Sequence, residues 1–171
     1  MMFSMTISVI VYTSNTGFTK KYAELLGERT GLTVRPSGSR DVPKGSEVIY
    51  LGWVAASVVK GFDVASKSYT VKAVCGVCMG PTGSQLEEVR KKTKIPADVP
   101  LFTLQGGFDP NKLHGFYKFV MKPVLKKMKA KLESIENRTP EEELALEMVV
   151  SGKDLVDERN LSEVLDWYSG Q

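Results

Sequence analysis

Histidine and cysteine are scarce in this sequence, which contains His114 alone and only two cysteines, Cys75 and Cys78. Two thiols supply half of a tetrahedral zinc site, and the histidine lies far from them in sequence. In an extended strand, residues three apart point to opposite faces, which opposes a disulfide between the two cysteines. We therefore expect no metal site. Structural or cofactor-neighbouring thiols are the leading interpretation, a redox pair is the alternative, and no catalytic acid or base is identified.

Long apolar runs are also missing. No stretch approaches the ~20 apolar residues that cross a bilayer, and the N-terminus lacks a basic segment followed by an apolar core and a cleavage site. The 171 residues are 42% hydrophobic and 25% charged, a composition typical of one globular domain. We expect a single domain over residues 1–171, located in the cytoplasm.

What the sequence does contain is an alternation of strand and helix patterns. Helices are predicted over Phe18–Thr30, where Gly31 ends the helix, and over Gln85–Lys94, where Ser84 can cap the first turn. Five apolar, β-branched segments are predicted as strands: Thr6–Tyr12, Leu32–Arg35, Glu47–Leu51, Thr70–Val77 and Pro100–Leu104. This order predicts an α/β fold with a parallel sheet and right-handed crossovers.

Ligands of such sheets bind beyond the carboxyl ends of the strands, where three loops are expected: Thr13–Thr19, Gly52–Val59 and Cys78–Ser84. In the first loop Ser14, Thr16 and Thr19 offer hydroxyl donors, and Gly17 allows close approach to a ligand. The unpaired N–H groups and the dipole of the following helix favour an anion there. The alternative is that these residues only cap their helix.

The same stretch resembles the phosphate-loop signature of the flavodoxin family, which it matches at Ile10, Val11, Tyr12, Ser14, Gly17, Thr19, Ala23 and Leu26. The resemblance implies a doubly wound five-stranded sheet of order 2-1-3-4-5, helices on both faces and noncovalently bound FMN. It also implies the residues that bind FMN. The phosphate would lie at Thr13, Ser14, Asn15, Thr16, Gly17, Phe18 and Thr19, and the flavin ring at Gly52, Trp53, Val54, Ala55, Ala56, Cys78, Met79 and Gly80. Trp53 either faces the ring or packs under its loop.

Positive charge is concentrated in one segment, predicted to be helical over about residues 111–136. Seven lysines follow one another there without an acid between them: Lys112, Lys118, Lys122, Lys126, Lys127, Lys129 and Lys131. Since the whole chain carries +3, the remainder is net −4. Lys118, Lys122, Lys126 and Lys129 share one helical face. A solvated face on a helix packed into the core is one interpretation. The other is contact with an acidic partner or with anionic lipid, which would place the protein peripherally at the inner membrane face.

The segment from Phe116 to Met128 also resembles, more loosely, a basic element of the flavodoxin-like menaquinone-dependent protoporphyrinogen dehydrogenases. That resemblance implies an FMN enzyme that passes electrons to a membrane quinone. The leading expectation is an electron-transfer flavoprotein with a redox partner protein or a quinone. A quinone-linked oxidoreductase and a binding module without redox turnover are the alternatives. No nucleic-acid partner is expected, because no reading motif accompanies the lysines.

An acidic tail follows over about residues 139–171, predicted to be helical. Thr139 and Pro140 form a helix start, and Asn160 with Glu163 repeats the spacing of a cap. From Glu133 onward there are eleven acidic and three basic residues, so this tail could neutralise part of the lysine face.

Overall fold

The computed structural model describes residues 6–171, which form an α/β fold, as the alternating pattern predicts. The strands are β1 (Val9–Thr13), β2 (Thr33–Pro36), β3 (Glu47–Ala55), β4 (Val58–Val59), β5 (Thr70–Cys78), β6 (Leu101–Gln105), β7 (Gly107–Phe108) and β8 (Lys153–Asp154). The α-helices are α1 (Phe18–Thr30), α2 (Phe62–Ser68), α3 (Leu86–Thr93), α4 (Gly115–Glu133), α5 (Pro140–Ser151) and α6 (Ser162–Ser169). Short 3₁₀ helices cover Pro110–Lys112 and Glu158–Leu161.

Five strands form a parallel sheet in the order β2-β1-β3-β5-β6, and β4 pairs antiparallel with the end of β3. Without β4, the order of the parallel strands is the predicted 2-1-3-4-5. The chain leaves β1 for β2 on one side and returns to β3 on the other. A crevice for ligands is therefore expected between the carboxyl ends of β1 and β3, where the strand order reverses.

Helices cover both faces of the sheet because side chains alternate along each strand. Ile10 of β1 packs with Leu26 of α1 and Val164 of α6 in one core cluster. Tyr50 of β3 packs with Phe62 of α2 in the other. The strands of the central parallel sheet are therefore apolar on both sides, as is typical of α/β folds.

Some predicted boundaries are wrong because polar side chains bond elsewhere. The first strand begins at Val9, since Thr6 bonds to the Glu47 carboxylate through its hydroxyl at 2.6 Å. Ser84 does not cap α3, because its hydroxyl donates to the Pro81 carbonyl at 2.5 Å and Gln85 is the N-cap residue. Asn160 does not begin α6, because its amide donates to the Tyr22 hydroxyl at 2.8 Å. The sequence prediction also missed β4 and α2.

Helix α4 is less buried than one of the two sequence interpretations requires. It runs continuously through Pro123, and none of its residues is buried, so the interpretation of a lysine face on a core-packed helix is wrong. Its half-buried residues are Met121, Leu125, Met128 and Leu132, and α4 packs against α5. Helix α5 begins at the predicted cap, where Thr139 and Glu142 form a capping box. Within residues 6–171, no helix has the length and apolarity needed to cross a membrane.

Candidate functional site

A cavity of about 500 Å³ lies at the carboxyl edge of the sheet, where the strand order predicts a ligand crevice. Its floor comes from the start of α1 and from the ends of β3 and β5, and α4 forms its opposite wall. Nine of the predicted site residues line it: Thr16, Phe18, Thr19, Trp53, Val54, Ala55, Ala56, Cys78 and Met79. The three predicted loops are thus brought together around one space.

The loop between β1 and α1 is shaped as an anion cradle. Gly17 adopts φ 95°, a left-handed conformation that favours glycine, and no side chain caps the helix that follows. The Gly17 N–H donates to Ser14 Oγ at 3.1 Å, which leaves the Ser14 hydroxyl proton available. Helix capping by the loop's own hydroxyls is therefore not the arrangement found. The first N–H groups of α1 and the Thr16 hydroxyl can meet a negatively charged ligand.

Asn15, in the same loop, carries an incomplete hydrogen-bonding arrangement. Its Oδ1 atom is buried and has no partner among the described residues. Leaving a buried acceptor unpaired costs about 1–3 kcal/mol, so such atoms are uncommon outside functional sites. Next to it, a Cβ added at Gly17 would meet nothing within 4 Å, so there is open space above this loop. A ligand with hydroxyl donors would satisfy Asn15.

The second predicted loop, Gly52–Val59, is a β-hairpin. Strand β3 continues to Ala55, and Val54 and Ala55 pair with Val59 and Val58 of β4. Ala56 and Ser57 make the turn, both with positive φ (50° and 63°), as a tight hairpin requires. The loop prediction failed because Ala and Ser are unusual in such a turn and the returning strand has only two residues.

Because β3 continues, Trp53 lies on a strand. Its ring lies 5.0 Å from that of Tyr117 on α4, nearly perpendicular at 83°, an edge-to-face contact. Trp53 thus lines the cavity and connects the sheet to its α4 wall. Of the two arrangements that the sequence left open for Trp53, this position favours the one in which it faces the ligand space.

Three predicted residues have structural roles. The Thr13 hydroxyl lies 2.8 Å from that of Tyr50, and the Tyr50 hydroxyl is 2.6 Å from the Lys60 carbonyl oxygen. Burial raises the pKa of Tyr50 to about 12, so it remains protonated in this contact. Gly52 packs against β4, where a Cβ would come within 2.5 Å of the Lys60 carbonyl. Gly80 is outside the cavity lining, close to Ser84.

Other cavity residues were not predicted because they come from distant parts of the chain. The wall from α4 consists of Tyr117, Val120, Met121, Val124, Leu125 and Met128. Lys60 is the one charged residue of the described chain that lines the cavity. Lys112 lies just outside, with its Nζ 5.4 Å from the centre of the Phe18 ring. The loop Thr13–Thr19 contains no lysine or arginine, and Lys112 brings a positive charge close to the start of α1 from a segment almost a hundred residues later.

The cysteines are both free, which rules out a disulfide in this structure. Cys75 is enclosed in the core cluster of α1, whereas Cys78 lines the cavity. Burial raises the pKa of Cys75 to about 12 and that of Cys78 to about 11. Both are therefore thiols at neutral pH, which favours the structural or ligand-neighbouring interpretation over a reactive pair.

Sheet order, helices on both faces and a cavity at the switch point define an α/β protein with a parallel sheet and a cavity at its carboxyl edge. Comparisons of the chain with protein-family models, with curated proteins and with solved structures find no match.

Proposed function

We propose that this chain is a flavodoxin-like protein that binds FMN noncovalently and transfers electrons through it. The observation that carries the proposal is the juxtaposition of an anion cradle at the start of α1 with an apolar cavity at the point where the strand order reverses. A phosphorylated ligand with a flat, largely apolar ring is complementary to both parts.

The residues present fit FMN in each of its three chemical parts. The phosphate would be held by the N–H groups at the start of α1 and by the hydroxyls of Thr16 and Thr19, with Lys112 adding positive charge nearby. The ribityl hydroxyls would supply the donor that Asn15 Oδ1 lacks. The ring would lie among the apolar and aromatic side chains of the cavity, Trp53 among them.

FMN, when bound, supplies reversible uptake and release of electrons, and the protein sets its potential and its access. Among residues 6–171, no acidic residue lines the cavity and Lys60 is the one charged residue that does. Reduction adds negative charge to the ring system, which a nearby ammonium group stabilises. We therefore expect a higher potential than in the strongly acidic electron carriers of the flavodoxin type.

A second candidate is an FMN-dependent oxidoreductase of the quinone-linked protoporphyrinogen dehydrogenase type. The observation that favours it is the apolar wall of α4, from Tyr117 to Met128, which covers the cavity where an electron carrier would leave its ring edge open. Such a wall suits a hydrophobic redox substrate, such as a quinone. Steady-state oxidation of protoporphyrinogen with menaquinone as acceptor tests this candidate.

FMN titration of the purified protein, followed by absorbance and calorimetry, tests the leading proposal. We expect stoichiometric FMN, much weaker riboflavin, and strong quenching of Trp53 fluorescence that is absent in Trp53→Phe. Trp167, on α6, provides the internal control. Equal affinity for riboflavin and FMN would contradict the phosphate cradle. FMN that binds but resists reduction by dithionite would identify a binding module without redox turnover.

A further inference from the structure

Helix α4 presents an apolar stripe to solvent on the side away from the cavity. Phe116 is 79% exposed and Phe119 is 84% exposed, the two largest exposures among the large hydrophobic residues that the structure describes. Pro123 follows Phe119 by four residues, so the three lie along one side of the helix. None of them lines the cavity, whose wall comes from the other side of α4. The stripe has no partner within the described chain.

Lysines lie on both sides of the line that this stripe follows along the helix. With 100° between successive residues, one row begins beside the phenylalanines and follows one edge, and a second, shorter row lies on the other side, beginning one turn beyond Pro123. The first row is Lys118, Lys122, Lys126 and Lys129, and the second is Lys127 and Lys131. Apolar residues bordered by lysines form the arrangement of helices that lie at a membrane surface, because long lysine side chains reach outward to the headgroups.

Only a small part of the neutralisation that the sequence predicts for these lysines is found as ion pairs among the described residues. Among ion pairs of the described residues, α4 contributes only Lys129, at 3.9 Å from Glu133 of the same helix. Acids of α5 pair with other bases, Glu143 with Arg138 and Glu147 with Lys153. Apart from Lys129, the lysines of α4 have no carboxylate within 4 Å among the described residues, so their charge can attract an external anionic surface.

We propose that the outer face of α4 docks on an anionic bilayer, with Phe116 and Phe119 inserted at the level of the headgroups and the lysines paired with lipid phosphates. The inference stands independently of the flavin function, since it uses a different face of α4. A second copy of the chain is disfavoured, because two such lysine faces would repel. An acidic protein or a nucleic acid would pair with the lysines, but its charged surface would not bury the exposed phenylalanine rings. An anionic bilayer can both pair with the lysines and bury the phenylalanine rings.

Co-sedimentation with vesicles at low salt tests the proposal, with phosphatidylglycerol-rich vesicles compared with pure phosphatidylcholine. We expect the wild-type protein to bind the anionic vesicles and to be released by about 0.3 M salt, where charge screening is strong. Phe116→Ser/Phe119→Ser should bind at least roughly tenfold more weakly, because little apolar surface remains to insert. Replacing Lys118, Lys122, Lys126 and Lys129 with Gln should abolish binding.

Each variant has a matched control outside α4. Val64→Ser/Leu86→Ser changes two other exposed apolar residues, which are 58% and 38% exposed on α2 and α3. Replacing Lys44, Lys67, Lys91 and Lys94 with Gln removes the same number of positive charges, from exposed lysines outside α4. We expect both controls to bind the vesicles as wild type does, or with only a small loss from net charge. Thermal unfolding followed by circular dichroism checks that all variants are folded.

Insertion is measured separately from attraction by Phe119→Trp, whose fluorescence should be quenched by brominated lipid, whereas that of Val64→Trp should not. Wild-type protein that stays in the supernatant at low salt would overturn the proposal and leave the face to an acidic protein partner. Binding that depends on the lysines but is unchanged in Phe116→Ser/Phe119→Ser would also overturn it, since the contact would then be electrostatic alone.

Discussion

Helices α1 and α4 differ in how far they are buried, and the difference is the reverse of what their lengths suggest. Helix α1 has 13 residues, of which six are buried, including Tyr22, Ala23 and Leu26 with no exposed surface. Helix α4 has 19 residues, and none of them is buried. The longer helix, which has more apolar residues, is the one that stays at the surface.

The difference shows that apolar content does not by itself place a helix in the core. Helix α1 lies against the sheet between β1 and β2 and fills one face of it. The same face also receives α6, and the other receives α2 and α3, so the sheet has no free face left for α4. Helix α4 instead covers the cavity at the sheet edge and exposes its remaining apolar surface.

Truncation of one large side chain in each helix should give the largest contrast. Leu26→Ala should lower the free energy of unfolding by about 2–5 kcal/mol, because it leaves a cavity in a fully buried site. Phe119→Ala should change it by less than about 0.5 kcal/mol, because the ring is already in water. Urea denaturation measures both. Similar losses would show that α4 is packed more firmly than the structure indicates.

Alkaline pH should destabilise the fold through its two buried thiols, Cys75 in the core cluster of α1 and Cys78 at the cavity. In the unfolded chain Cys75 and Cys78 ionise near their ordinary pKa of 9.0, whereas the folded pKa values are about 12 and 11. Their contribution is complete below pH 9 and is lost as the pH rises from there towards 11 and 12. At pH 10 we expect a loss of roughly 1 kcal/mol for each thiol, measured by urea denaturation at pH 8 and pH 10. Cys75→Ala/Cys78→Ala should lose correspondingly less, and an equal loss would assign the effect elsewhere.

The start of α1 should dominate FMN affinity, and the outer face of α4 should not affect it. Removing one hydroxyl donor, as in Thr16→Ala or Thr19→Ala, should weaken FMN at least tenfold, about 1.4 kcal/mol, when phosphate is desolvated against it. Thr19 is buried, so Thr19→Ser provides the control that keeps the hydroxyl. Phe119→Ala should bind FMN as wild type does. Calorimetry that finds unchanged affinity in both alanine variants would remove this site.

The smallest effect concerns the one aromatic contact that ties α4 to the sheet. A double-mutant cycle with Trp53→Leu and Tyr117→Leu should give a coupling energy of about 0.5–1.5 kcal/mol, as expected for an edge-to-face pair 5.0 Å apart. Thermal unfolding with and without FMN measures it. Zero coupling would mean that α4 is not held at Trp53 in solution.

Local patterns predicted most of the fold. Apolar strand segments, the glycine that ends α1 and the capping box at Thr139 are signals within a few residues, and the structure has all of them. The hairpin at Ala56 was missed because two non-glycine residues with positive φ leave no recognisable turn signal. The caps predicted at Ser84 and Asn160 were wrong because their side chains found other hydrogen-bond partners.

The candidate site, like the fold, was predicted from the sequence only in part. The sequence by itself determined the α/β class and the loops expected at the carboxyl ends of the strands, because strand period, helix period and turn residues are local properties. The order of the parallel strands was implied only by the family resemblance, and the structure has that order. Only the tertiary structure decided that α4 closes the cavity, that Lys60 and Lys112 lie at the site and that Phe116 and Phe119 are exposed. Those placements depend on which surfaces of the sheet remain uncovered after the other helices have packed. This is decided by contacts between segments far apart in the sequence, so a pattern of neighbouring residues cannot predict it.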